Sequence, residues 1–492
     1  MNISKVEEWI TKLKRAINIE LKKQNYNGAL SLVSVCSNII YQTNAKYMDS
    51  DLEQVVKSIA DSAKLNELNG EQLNDDILIF WDGFGLNNRG LCQIYLKALC
   101  KYKKVVYITY KDRENLIPDI HSILDENNAE RRYVNRGGVS PMTTVHQLNS
   151  IIKEFRPKHM FFYSMPDDVV ATPLLYAYEN TLIRYQINLT DHVYWLGTGC
   201  FDKNVNFRQY GARISIEYRD IPKSKNVVIP FYPIINFERE FLGFPFKLEE
   251  NQKVIFSGGA LYKTLGGGNK YYIMVDYILG KYKDVVFWYA GSGDDTELKK
   301  ILNKYPDRAH YTEERSDLYQ VLQHCNIYLS TYPMCGGLMF QYAAMAGIVP
   351  VTLKHGNISD EFLMNQKEIN IEFDNIDDLY FEVDKLLTDE DYYLERRKQM
   401  LQAVISPELF NEEVRKLVSG EISENFLPED EHIDTESFRQ WYLEDLKKID
   451  LAAMASRKDV TKYALKYYPL DFVGGSINLF IKKVKRFLSR RK

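Results

Sequence analysis

What most constrains this chain is a rhythm. Short apolar runs end in a small turn and give way to a helical segment, again and again. "DILIFWDGFG" runs into "NRGLCQIYLKALCKY", and the strand-like runs "KVVYITY", "HMFFYSM" and "RYQINLT" follow, spaced widely enough for crossover helices. After an interruption the rhythm restarts with "KVIFSGG", "DVVFWYAGSGDD" and "NIYLSTY". Alternation of this kind implies parallel strands covered by helices on both faces. Ligands of such sheets bind beyond the carboxyl ends of the strands, so the informative residues are those just after each apolar run.

The interruption is "NVVIPFYPIINFEREFLGFPFKLEENQ", with Pro230, Pro233, Pro245 and no clear period, which reads as an interdomain linker. It predicts an α/β architecture of two doubly wound Rossmann-like domains facing a cleft: residues 75–230, a linker over 231–251, and residues 252–390. Before them, residues 1–70 read as a helical segment for packing or partner contact. There Tyr26, Ala29, Leu30, Val33 and Cys36 recur at three- and four-residue spacing. "YNGAL" has the look of one tetratricopeptide copy, and one copy is no array. Residues 391–475 read as C-terminal helices and 476–492 as a basic tail.

Composition narrows the function classes. A net charge of −4 over 492 residues gives no basic excess, so nucleic acid is not an expected partner. Cys36, Cys92, Cys100, Cys200, Cys325 and Cys335 form no C-x-x-C pair and sit in apolar segments, which suits buried thiols in a reducing cytoplasm. The first twenty residues carry charges throughout, unlike a signal peptide, and no run approaches ~18 uninterrupted apolar residues.

Three apolar runs of the second domain end in glycine: Ser257-Gly258-Gly259, Gly291-Ser292-Gly293 and Gly336-Gly337, with Lys263 and Lys270 beside the first. Each reads two ways. One is a tight turn with close helix–sheet packing. The other is a helix N-terminus left open for phosphate, where backbone N–H groups and the helix dipole favour an anion. No G-x-x-x-x-G-K-[ST] loop or G-x-G-x-x-G fingerprint occurs. Asp294-Asp295 is read as the cap and first turn of the next helix, so neither metal nor cofactor is expected. In the first domain, Asp191-His192 follows a strand end. The Asp82–Gly85 loop and Arg89 are expected to reach the cleft, with helix capping as the other reading of Arg89.

The order of these segments resembles the glycosyltransferase-B families. "FWYAGSGDDTELKKIL" resembles the glycine loop and helix that nucleotide-sugar transferases carry. "SDLYQVLQHCNIYLST" and "YAAMAGIVPVTL" resemble the helix–strand and small-residue element that follow, and "RYQINLTDHVYWLG" the first-domain strand that delivers a histidine toward the donor. The likeness spans Asp76 to Leu387. It implies a transferase taking a nucleoside-diphosphate sugar, expected to be a UDP-sugar, on the second domain and a glycan or lipid-linked acceptor on the first. The donor set is then Gly258, Gly259, Lys263, Lys270, Gly291, Gly293, Tyr311, Gly336, Gly337 and Gln341. His192 and Asp191 are the catalytic candidates: one is the base of an inverting reaction, or His192 holds the donor sugar of a retaining one.

One departure is plain. The glutamate that opens the family's small-residue element is replaced by Tyr342, preceded by Gln341, and Met334 or Cys335 stands where an earlier acid belongs. Two rival readings follow: a silent subunit stabilising a partner glycosyltransferase, and a nucleotide-sugar epimerase of the same fold. "SINLFIKKVKRFLSRRK" is basic and amphipathic. It predicts contact with an anionic membrane surface, placing the enzyme at the inner face of a bacterial membrane in capsule or other surface-glycan synthesis.

Overall fold

A computed structural model of the chain describes residues 3–68, 70–88, 90–354, 361–421, 423–429, 431–444, 450–457 and 460–477. Two parallel sheets form the frame. The first contains β1 (Asn74–Asp82), β2 (Lys104–Tyr110), β3 (Glu130–Val134), β4 (Pro157–Tyr163), β5 (Ile183–Asn188), β6 (Lys203–Asn206) and β7 (Asn226–Val228), in the order β3-β2-β1-β4-β5-β6-β7. The second contains β8 (Lys253–Ala260), β9 (Val285–Ser292), β10 (Ala309–Thr312), β11 (Ile327–Leu329), β12 (Val349–Leu353) and β13 (Glu372–Phe373), in the order β10-β9-β8-β11-β12-β13. Two doubly wound α/β domains are therefore present, as the alternation predicted. Each sheet reverses its strand order once, between β1 and β4 and between β8 and β11, and such reversals open the crevices where ligands sit.

The central strands show why the pattern reads as parallel. Leu78 and Phe80 of β1 point into one core with Val105, Tyr107 and Phe161. Ile79 and Trp81 point to the opposite face, with Val106, Ile108 and Phe162. Both faces are dry, so alternation vanishes into a continuous apolar run. β6 is the opposite case. Its "KNVN" buries Asn204 and Asn206, and the ladder is held by Asn188 Nδ2 to Asn206 Oδ1 (2.8 Å) and Asn204 Nδ2 to Asn226 Oδ1 (2.9 Å). A buried polar network of this kind carries no apolar signature.

The terminal segments are not separate appendages. The helices Ile3–Lys22, Tyr26–Thr43 and Ser50–Ser62 share one core with a face of the first sheet. Residues from Leu451 to Tyr468 join that same core, and Trp9 packs edge-on against Tyr468 at 5.4 Å. The helix Pro407–Ser419 crosses back from the second domain to the other face of the first, where Phe410 meets Tyr95 at 5.1 Å. Within 391–475 the helix Glu390–Leu401 stays with the core of the second domain through Tyr393 and Met400, whereas Pro407–Ser419 and the segment that includes Leu451 and Tyr468 pack on the first. Ser476 and Ile477 are described; the rest of the basic tail lies outside the described residues, as does Arg89. Among the described residues, no helix is long and apolar enough to cross a membrane. The six cysteines are free thiols, and all but the half-buried Cys100 are buried.

Candidate functional site

A cavity of about 810 Å³ opens between the two domains. The first domain contributes Leu189 to His192 after β5 and Phe207, Arg208 and Tyr210 after β6. The second contributes Tyr262 and Lys263 after β8 and Pro333 to Cys335, Gly337 and Leu338 after β11. Tyr41 and Gln42 of the second N-terminal helix, and Phe438 and Tyr442 of the helix Glu436–Glu444, close its rim.

Asp191 and His192 meet at this cavity in different surroundings. Asp191 is buried and takes two hydrogen bonds from the Arg208 guanidinium, Nε at 2.5 Å and Nη2 at 2.9 Å. Burial alone pushes its carboxyl up, but the Arg208 charge prevails and holds it at about 2. His192 is half-buried, with Nδ1 3.3 Å from Asp191 Oδ1 and its ring edge-on to Phe438 at 5.9 Å. A carboxylate so committed to arginine orients the imidazole and does not itself accept protons near neutrality. Arg208 also lies over the rings of Tyr210 (4.2 Å) and Phe362 (4.1 Å), which fixes its plane.

Across the cavity, the helix Gly337–Met345 begins after Gly336, a cap residue with no side chain to fill the N-terminus. Lys263 Nζ lies 3.5 Å from Cys335 O, so a positive charge stands at that terminus. A Cβ at Gly337 would fall 2.3 Å from the Phe362 ring, so glycine is required for close packing there. The tight-packing reading of this glycine is met.

The remaining expected donor residues are not gathered here. A Cβ on Gly291 would lie 1.9 Å from Gly259 O, so this glycine permits the close approach of β8 and β9. Gly259 and Gly293 have φ of +126° and +130°, and Gly258 packs under Met339. Lys270 starts the helix Lys270–Lys281 on the exposed surface. Tyr311 donates its hydroxyl to Gly291 O at 2.8 Å. None of these lines the cavity.

Three expectations need correction. Gln341 is buried and donates from Nε2 to Phe231 O (2.9 Å) and Phe362 O (3.2 Å), so it pins the linker. Its neighbour Tyr342 donates to Ile234 O at 3.2 Å and does the same. Asp82 is fully buried, accepting from Phe84 and Gly85 N–H and from the Tyr107 hydroxyl at 2.7 Å, and burial pushes its carboxyl up. It organises its own loop and does not face the cleft. Gly85, at φ +55°, packs on Arg113 and Thr109; Phe84 is the residue of this loop that reaches the cavity.

Sequence reading missed Arg208, Phe362 and the rim aromatics Tyr41, Tyr262, Phe438 and Tyr442. Arg208 is the second residue after β6, the strand hidden by its asparagines. The aromatics come from segments distant in the chain, and no local pattern links them.

No protein-family profile matches the chain, and no curated protein matches it. Solved structures do. A mutant O-GlcNAc transferase from Thermobaculum terrenum is similar at 12% identity with a TM-score of 0.51, over 84% of this chain and 80% of that one. A glycosyltransferase from Rickettsia africae is similar at 13% identity and a TM-score of 0.51, over 70% of this chain and 98% of that one. A UDP-GlcNAc 2-epimerase from Neisseria meningitidis, solved with UDP-GlcNAc bound, has 12% identity and a TM-score of 0.45, over 70% and 98%. The likeness is one of fold, the glycosyltransferase-B arrangement of two Rossmann-like domains.

Proposed function

We propose that the chain is a glycosyltransferase that moves a sugar from a nucleoside-diphosphate sugar, expected to be a UDP-sugar, to a glycan or lipid-linked acceptor. One observation carries the reading. A single interdomain cavity sets the Asp191–His192 pair of the first domain opposite Lys263 and the open helix N-terminus at Gly337. In this reading His192, oriented by Asp191, takes the proton of the acceptor hydroxyl. The acceptor oxygen bonds to the anomeric carbon as the bond to the phosphate oxygen breaks. The departing diphosphate is met by Lys263 and the dipole of the helix Gly337–Met345. A cytoplasmic location at the inner face of a bacterial membrane, in surface-glycan synthesis, belongs to the same proposal and rests on the basic tail.

Thermal melting with UDP, GDP, ADP, CMP and their sugars tests this, for wild type and Gly337→Trp. One nucleoside diphosphate is expected to stabilise the wild type and not the variant. At 100 times its Kd the gain is ~2.7 kcal/mol. No shift with any nucleotide would remove the donor site.

A second reading, the silent partner subunit, has its own observation. The Phe362 ring rests against Gly337, where a diphosphate would sit, and both residues at the family's glutamate position face the linker. It predicts no nucleotide binding and co-purification with a second transferase.

A further inference from the structure

The donor reading of the cavity leaves its aromatic rim unexplained. That rim is built by parts outside the two sheets. Tyr41 comes from the helix Tyr26–Thr43, Phe438 and Tyr442 from the helix Glu436–Glu444, and Tyr262 from the turn after β8. All four line the same cavity as His192. Burial pushes the Tyr442 hydroxyl up, and the phenols of Tyr41 and Tyr262 add to it. Tyr262 is 42% exposed and forms the outer lip.

The rim is also held in place. Trp441 donates from Nε1 to Leu265 O of the second domain at 3.2 Å, and Arg439 donates to Ala45 O at 2.9 Å, just past the N-terminal helix. The helix Glu436–Glu444 is therefore fastened on both sides of the cleft. Its Phe438 touches the His192 ring edge, so a group lying against Phe438 and Tyr442 is within reach of the imidazole.

Aromatic faces set around phenolic hydroxyls suit one chemistry above others. A pyranose ring presents an apolar face of C–H groups and a polar edge of hydroxyls. Stacking buries the first, and tyrosine hydroxyls bond the second. We infer that Tyr41, Tyr262, Phe438 and Tyr442 form the acceptor subsite, which takes the terminal pyranose of a neutral glycan and presents its hydroxyl to His192. The inference rests on the transferase reading for its direction of transfer, but glycan binding stands or falls separately.

The probe is a printed array of neutral oligosaccharides ending in glucose, galactose, mannose or N-acetylhexosamine. It is read with the full chain alone and with each nucleoside diphosphate added. The wild type is expected to retain at least one glycan class. Tyr442→Ala is expected to weaken that binding about tenfold, while Tyr442→Phe, which keeps the stacking face, stays within about threefold. Both variants should keep the wild-type melting temperature within a few degrees, and any nucleotide shift should persist. Phe438→Ala provides a second route if Tyr442→Ala does not fold. Retention of no glycan, or equal binding by the alanine variants, overturns the subsite. Glycan retention without any nucleotide shift keeps the subsite and removes the transferase reading. A nucleotide shift without glycan retention does the reverse.

Discussion

At the residue scale, the decisive pair is Asp191 and Arg208. The first was legible as an acid after a strand; the second was not, and its position changes what the first can do. With the guanidinium bonded to both carboxylate oxygens, Asp191 is held as an anion beside the imidazole, which in the proposed reaction leaves His192 as the base. Asp191→Asn leaves a buried arginine without its counter-charge, which costs about 3–5 kcal/mol of stability. It should also lower kcat about 100-fold or more by releasing the imidazole. The double variant Asp191→Asn/Arg208→Met should regain most of the stability and none of the turnover, as read by denaturant melts and steady-state rates. Gln341 makes a complementary case. Gln341→Glu would bring back an acid near the family's position, yet the side chain faces the carbonyls of Phe231 in the linker and of Phe362. The expected outcome is a loss of about 1–3 kcal/mol and no gain in rate, since a carboxylate there is desolvated beside acceptors.

At the scale of elements, the N-terminal helix Ile3–Lys22 is joined to the C-terminal region through Glu20. This carboxylate, itself nearly buried, receives the Lys466 ammonium, the Tyr467 hydroxyl and the Asn25 amide. Burial by itself raises its pKa, but those partners bring it down to about 2. A folded pKa below the unfolded value means that the stabilisation is complete above about pH 4.5. It is lost as pH falls from there toward 2. Wild type and Glu20→Gln should therefore differ in stability at pH 6 and converge near pH 2, followed by urea midpoints across that range. The helical signal of this segment was plain from its spacing. Its partner lies more than four hundred residues on, and no periodicity reports that.

For the whole molecule, the two termini convert a pair of Rossmann-like domains into a closed unit with a roofed cleft. The N-terminal helices lie on the first domain, and the helix Glu436–Glu444 touches both sides of the opening. Binding of the proposed basic tail to an anionic membrane would place the whole chain against a surface. Removal of residues 478–492 should abolish flotation with phosphatidylglycerol vesicles at low salt and leave melting unchanged. Equal flotation of both forms would remove the membrane proposal.

The sequence by itself determined the architecture: two parallel sheets, their linker, and the helical additions at both ends. Apolar runs and glycine turns are local consequences of burial on two faces, so they are written into contiguous residues such as those of β1 and β9. It also pointed to Asp191-His192 and Lys263, which stand just after strand ends, and to Gly337, which opens a helix. Only the tertiary structure decided which glycines serve strand packing and which border the cavity, since Gly291 and Gly337 look alike until the atoms opposite them are known. Likewise, only the fold brought Arg208 to Asp191 and four aromatic residues from three segments to one rim. Those contacts depend on distances between parts of the chain that no local pattern encodes.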